Sequence, residues 1–223
     1  MREILLQQIP NLWRADALGA AAPQFVSSGY AELDRALGGG WPVPGLLELL
    51  CDQWGIGELQ LLLPLMLVLS AQASSSVPTS MPIKPMLWIN PPFEPQALAL
   101  AQYGLEPAQH WLSRNLNATD AVWAMEQSLR SGACVMVLSW LSGLNMASLR
   151  RLKLAALSGA CVAVLFRPTR EAAQTTAANL RLRLTATSAG LQVELLKVQG
   201  RRPCRVLLST IPDQRYWLRR SVP

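Results

Sequence analysis

The stretch Gly38-Gly39-Gly40-Trp41-Pro42-Val43-Pro44-Gly45-Leu46-Leu47-Glu48-Leu49-Leu50-Cys51-Asp52-Gln53-Trp54-Gly55-Ile56-Gly57-Glu58-Leu59 is laid out like a phosphate-binding loop. Leu46 to Leu50 is a short apolar run bounded by Gly45 and Asp52, as a strand buried on both faces would be. Leu59 to Gln72 is long and apolar almost all round, which suits a helix buried on several sides. The turn between them lacks the expected chemistry. Aligning Gly57 with the last glycine of G-x-x-x-x-G-K-[ST] puts Asp52 at the first glycine, Glu58 at the lysine and Leu59 at the magnesium-binding hydroxyl. Gly55 and Gly57 remain, but two carboxylates now face the phosphates. At an effective dielectric of about 20, each such contact opposes a triphosphate by about 4 kcal/mol. The expectation is a degenerate nucleotide-binding loop with no cofactor, no metal and no ATPase activity. A plain strand-to-helix turn that happens to contain glycine is the simpler alternative.

The chain has 223 residues, of which 51% are hydrophobic, enough for one α/β domain with a sizeable core. No basic leader precedes an apolar stretch, and the most apolar run, Leu59 to Leu69, is interrupted by Gln60 and Pro64. A cytoplasmic protein is therefore expected. Cys51, Cys134, Cys161 and Cys204 are far apart in sequence, which suggests neither a metal site nor a disulfide framework. The sole histidine, His110, has no ligand-spaced partner, and a surface or helix-end position is expected for it.

Charge is unevenly distributed. Residues 1–149 hold 6 Lys/Arg and 11 Asp/Glu, whereas residues 150–223 hold 14 and 3. Such polarity suits a nucleic acid, an acidic protein partner or head-to-tail association. The candidate contact residues are Arg150, Arg151 and Lys153, then Arg201, Arg202 and Arg205, then Arg215, Arg219 and Arg220. A merely solvated basic face is the bland reading. DNA contact, if any, would be weak, non-specific and salt-sensitive, because no base-reading signature accompanies the arginines.

The remaining segments alternate as βαβ units do. Arg2 to Leu18 reads as a helix-like piece, Ser27 to Gly38 as a short capped helix, Ala73 to Pro85 as a loop, and Met86 to Ile89 as a strand. Pro95 to Tyr103 and Asp120 to Ser131 read as helices flanking a short strand from Leu112 to Leu116. Ala133 to Leu138 has no polar residue and should be a central strand, followed by a basic helix, Asn145 to Leu157, and a strand, Ala160 to Phe166. Leu180 to Thr187, Leu191 to Val198 and Cys204 to Leu208 alternate like antiparallel strands at a sheet edge.

The run from Val26 to Pro42 resembles the segment that leads into the phosphate loop of RecA-type cores, (I/V)-S-x-G-x-x-x-L-D-x-x-L-G-G-G. Asn11-Leu12-Trp13-Arg14 and Gly55-Ile56-Gly57-Glu58-Leu59-Gln60-Leu61-Leu62-Leu63-Pro64 look, more specifically, like the ImuA family of bacterial translesion-synthesis accessory proteins. The resemblance implies an α/β fold: a RecA-like P-loop NTPase-type core, with a mostly parallel central sheet flanked by helices and antiparallel edge strands in the C-terminal third. It also implies an arm over residues 1–25, a core over 26–210 and a basic tail over 211–223.

Against RecA-type ATPases the record is one of losses. Asn90-Pro91-Pro92 stands where their catalytic acid follows the second core strand, and Ser139 where an acid ends their Walker B strand. The resemblance therefore implies a non-catalytic scaffold of SOS-associated error-prone translesion synthesis. Its partners would be an ImuB-like inactive Y-family polymerase, a C-family error-prone polymerase and RecA, with the protein joining the nucleoid during repair. Two alternatives stay open: a SulA-like cell-division inhibitor binding a tubulin-like protein, and an active ATPase with an unusual loop.

Overall fold

A computed structural model describes residues 24–75 and 83–209. Its centre is an eight-stranded sheet in the order β10-β9-β8-β3-β7-β6-β4-β5. The strands are β3 (Gly45–Leu50), β4 (Met86–Ile89), β5 (His110–Ser113), β6 (Met136–Trp140), β7 (Val162–Arg167), β8 (Leu180–Thr187), β9 (Gly190–Val198) and β10 (Cys204–Leu208). Neighbours from β8 across to β5 are parallel, while β9 and β10 extend the sheet antiparallel. The first apolar run thus lies in the middle: Leu46 of β3 faces Ala163 of β7, and Leu47 faces Leu180 of β8.

Two apolar layers follow from the strand period of two. Leu47 and Leu49 of β3, with Val164 and Phe166 of β7, meet Leu61, Leu62, Leu65 and Met66 of α2 (Glu58–Ser75). Leu46, Ala163 and Leu165 meet Ala121, Met125 and Leu129 of α4 (Ala118–Ser131) and Leu149, Leu152 and Ala156 of α5 (Met146–Ser158). Both α4 and α5 begin on an asparagine whose side chain accepts an N–H of the first turn, Asn117 from Asp120 and Asn145 from Ser148. A short α3 (Ala97–Gln102) connects β4 to β5.

A small antiparallel pair, β1 (Gln24–Val26) with β2 (Trp41–Val43), brackets α1 (Ala31–Leu37). Gly38 ends α1 at φ 87°. Its beginning is fixed from inside the helix, since the Asp34 carboxylate accepts the Ser28 N–H and the Ser27 hydroxyl.

Several boundaries differ from expectation. α2 runs on to Ser75 into the stretch read as a loop, and β5 spans His110–Ser113 instead of Leu112 to Leu116. Strand β2 was not expected, because Pro42 argues against a strand except at an edge, which is where β2 lies. β1 begins inside the segment read as the arm. The helix-like piece Arg2 to Leu18 and the tail 211–223 lie outside the described residues. Among the described residues no helix is long and apolar enough to cross a membrane.

Candidate functional site

Strand β3 stops at Leu50 and α2 starts at Glu58, so the loop Cys51–Gly57 sits at the carboxyl end of the central parallel strand. In open α/β sheets, that end is where ligands are held. Gly55 and Gly57 have φ of 78° and 105°, a region that favours glycine, and the turn directs two N–H groups inward. Those donors are taken from within. The Gly55 N–H donates to Glu58 Oε1 at 3.0 Å and the Ile56 N–H to Glu58 Oε2 at 2.9 Å. Glu58 is only 4% exposed.

This corrects the placement of Glu58 as a charge confronting a triphosphate. Amide groups at the start of a helix attract an anion, and here the nearest anion is the first side chain of the helix itself. Leu59, in the hydroxyl position, packs half-buried against the core under α2. Asp52 also turns away from the loop centre: its carboxylate accepts the Thr169 N–H at 2.8 Å and the Thr169 hydroxyl. Those hydrogen bonds hold its carboxyl below the usual range. Burial, then the charges of Glu58 and Asp52, push the Cys51 thiol up to about 12.

Beside the loop an aromatic column fills the strand ends. Trp88 of β4 stacks on Trp140 of β6, with centroids 6.0 Å apart, and Trp140 stacks on Phe166 of β7 at 4.4 Å. Trp54 of the loop meets both Trp140 and Phe166 edge-on. A cleft of about 460 Å³ remains above them, with Asp52, Trp54, Trp140, Ser142, Phe166 and Arg170 in its walls. His110 is half-buried at the far end, where it closes the short helical turn Pro107–Gln109, the helix-end position that was one of the two expected of it. Its Nδ1 accepts the Trp88 Nε1–H at 3.0 Å, and burial lowers its pKa.

Under the loop, on the α4–α5 side of the sheet, lies a buried ionic cluster. Glu48 of β3 receives Arg167 Nη1 at 2.5 Å and Arg181 Nε at 2.7 Å. Arg167 also pairs with Glu171, which accepts the Gly143 N–H at 2.8 Å. Arg181 donates to the carbonyls of Ala172 and Gln174 at 3.2 and 2.6 Å. Burial alone would raise the Glu48 carboxyl; the hydrogen bond from Arg181 and the two guanidinium charges outweigh it and hold it low. The cluster pins the segment after β7 to the sheet, and that segment carries Thr169, the partner of Asp52.

The other positions singled out by sequence separate widely. Pro92 is exposed after β4. Ser139 is fully buried within β6, one residue before its end, with no hydrogen-bond partner for its hydroxyl. Arg201 is not a free contact residue: it donates to the Arg35 carbonyl at 3.3 Å and lies over Gly38 at the end of α1. Arg205 pairs with Glu194 at 3.0 Å, as does Arg183 at 2.9 Å. Arg151 pairs with Glu126 at 3.2 Å, whereas Arg150 and Arg202 are exposed and Lys153 is half-buried. The structure therefore does not assemble Arg201, Arg202 and Arg205 with Arg150, Arg151 and Lys153 into one patch. Arg215, Arg219 and Arg220 lie outside the described residues. Sequence reading missed Trp54, Trp140, Phe166 and the Glu48 cluster. A signal existed for the last, since one carboxylate inside an otherwise apolar buried strand requires a buried cation.

Fold and site define an α/β protein with a strand–loop–helix unit whose anion-binding turn is filled by its own carboxylate. No family model matches the chain. It is similar to three proteins named cell division inhibitor SulA. That of Edwardsiella piscicida is 37% identical over 82 residues, 37% of this chain and 49% of the relative. That of Yersinia enterocolitica is 33% identical over 112 residues, 50% of this chain and 61% of the relative. That of Serratia proteamaculans is 31% identical over 124 residues, 56% of this chain and 68% of the relative. The chain belongs to the SulA family, and it spans about half to two thirds of the length of these relatives.

Proposed function

We propose that this chain acts by binding another protein and not by hydrolysing a nucleotide, on a RecA-like core whose phosphate loop is closed by Glu58. The observation that carries the reading is the pairing of both Glu58 oxygens with the Gly55 and Ile56 N–H groups, donors of the kind that cradle a phosphate in a working loop. Its relatives' name, cell division inhibitor, supports the partner: a tubulin-like division protein whose assembly the chain blocks during the DNA-damage response, in the cytoplasm. Overproduction in a bacterial host should give filamentous cells, and the purified chain should lower the amount of sedimentable division-protein polymer formed with GTP. Cells of normal length together with undiminished polymer would end this reading. Equilibrium dialysis with ATP and Mg²⁺ should retain no nucleotide.

A second reading keeps the same core and gives it a different partner. The Gly55 to Pro64 run resembles ImuA proteins, and none of the three matches to SulA proteins covers more than 56% of this chain. On this reading the chain organises an ImuB-like polymerase relative, a C-family error-prone polymerase and RecA. A pull-down from damaged cells that recovers none of the three would remove it.

A further inference from the structure

The eight-stranded sheet ends at β5, which pairs with β4 on one side and, among the described residues, with no strand on the other. The Asn90 N–H donates to the Ser113 carbonyl at 2.8 Å, so Ser113 and, two residues back, Trp111 turn their backbone groups toward β4. The N–H and C=O groups of His110 and Leu112 therefore point outward, where another strand would take them. Edge strands are ordinarily protected by charged side chains, proline or a bulge. His110-Trp111-Leu112-Ser113 has none of these.

The surface around this edge is apolar. Trp111 is 59% exposed and Leu112 39%, while Leu98 of α3, a helix that buries no residue, is 73% exposed and Phe93, ahead of it, 67%. The Arg114–Glu94 pair at 2.9 Å and the hydrogen bonds of the Asn90 side chain to the Leu116 backbone hold the Phe93 loop beside the end of β5. From Pro95 to Ser113 the only Asp, Glu, Lys or Arg is Glu106. An uncharged strand meets its own copy without repulsion. The opposite edge, β10, is different: Cys204 and Arg205 are exposed there, and α1 packs beside it.

We propose that two copies of the chain join through β5, antiparallel about a twofold axis at Trp111, and merge their sheets. Residues opposite each other across antiparallel strands lie on the same face, so an axis normal to the sheet has to bring one residue against itself. With the axis at Trp111, the two Trp111 side chains form the close, non-hydrogen-bonded pair on the α4–α5 face. His110 of each copy then exchanges both of its backbone hydrogen bonds with Leu112 of the other, which satisfies every outward group of the strand. Trp111 and Phe93 expose about 280 Å² per copy, taking roughly 200–250 Å² for a whole aromatic side chain. Across the axis that is over half of the roughly 1,000 Å² that a specific interface buries, and Leu98, Leu112 and the strand backbone add to it. The contact goes beyond the proposed partner and holds whichever protein that is.

Sedimentation equilibrium of the full chain over roughly 1–100 µM should show monomer and dimer in exchange. Trp111→Lys sets two like charges directly opposite each other and should raise the dimer dissociation constant at least about tenfold. Leu112→Pro should do the same, because it removes an outward donor and no bond to β4. Far-UV circular dichroism matching that of wild type shows that the variants fold. A mixture discriminates further: Trp111→Lys and Trp111→Glu, each monomeric alone, should pair with one another, since only a residue that meets its own copy gives this rescue. A wild type that stays monomeric throughout, as it would with a segment of its own chain on the edge, overturns the proposal. So does a dimer that both Trp111→Lys and Leu112→Pro retain, or a mixture that pairs no better than its components. Assembly that grows past two copies, the sign of β5 meeting β10 head to tail, overturns it as well.

Discussion

Replacing Glu58 by alanine removes the anion on which the loop closes. Two N–H groups lose a charged acceptor, each such bond contributing about 1.5–3 kcal/mol, and the first turn of α2 loses a favourable carboxylate worth about 0.3–1 kcal/mol. Gly55 is exposed and Ile56 half-buried, so water takes over part of the hydrogen bonding and the sum overstates the effect. The expected loss is about 2–3 kcal/mol, out of a total stability on the order of 5–15 kcal/mol. Urea unfolding followed by tryptophan emission measures it directly. The decisive arm is added inorganic phosphate. In Glu58→Ala the freed donors accept an anion, and phosphate at ten times its Kd would restore about 1.4 kcal/mol, whereas wild type would not respond. A variant within about 0.5 kcal/mol of wild type, or equal stabilisation of both proteins by phosphate, would refute the account of Glu58 as the loop's own ligand.

Glu48→Gln leaves Arg167 and Arg181 buried against a neutral amide and should cost about 3–5 kcal/mol in urea titration; adding Arg181→Met, which leaves Arg167 with Glu171, should recover much of it. Because the folded Glu48 carboxyl is held below its ordinary value, its contribution is complete above the unfolded value of about 4.3 and is lost as pH falls through the folded one. Acid unfolding of Glu48→Gln should therefore show a shallower fall below that pH than wild type does. Gly159→Ala places a methyl 1.9 Å from the Leu129 carbonyl oxygen, so α4 and α5 must separate; calorimetry should show about 1–3 kcal/mol lost. Of the cysteines, Cys204 is exposed and Cys51, Cys134 and Cys161 are buried. A thiol reagent should thus modify Cys204 in the native protein and the others only on unfolding, and rapid labelling of Cys51 would show that its loop opens.

The architecture was legible where burial is strong enough to write a pattern. Leu46 to Leu50 announces a central strand because both of its faces are covered, and the alternation from Leu180 onward announces a sheet edge. Short elements were misplaced where the backbone is decided by partners distant in sequence: β2 exists because β1 pairs with it, and β5 shifts to His110–Ser113 because Met86 fixes its register opposite His110. At the loop, the residues that break the phosphate-binding pattern were visible, but the direction of the Glu58 side chain was not. Spacing places a carboxylate near the turn without saying whether it points outward or folds back onto the amides. The basic C-terminal third misled for a related reason. Composition counts Arg167, Arg181, Arg183, Arg201 and Arg205 as surface charge, whereas two are buried under Glu48, two share Glu194 and one closes the end of α1.

The central position of β3 also sets a timetable for the nascent chain. Glu48 emerges long before Arg167, 119 residues later in sequence, and neither neighbouring strand exists until the chain has reached β7 and β8. At ribosomal speeds of roughly 5–20 residues per second, an apolar strand and most of its helix stay without a sheet to join for roughly 6–24 seconds. That interval is an opening for chaperones and proteases, so cellular abundance would be set as much during synthesis as by the stability of the finished molecule.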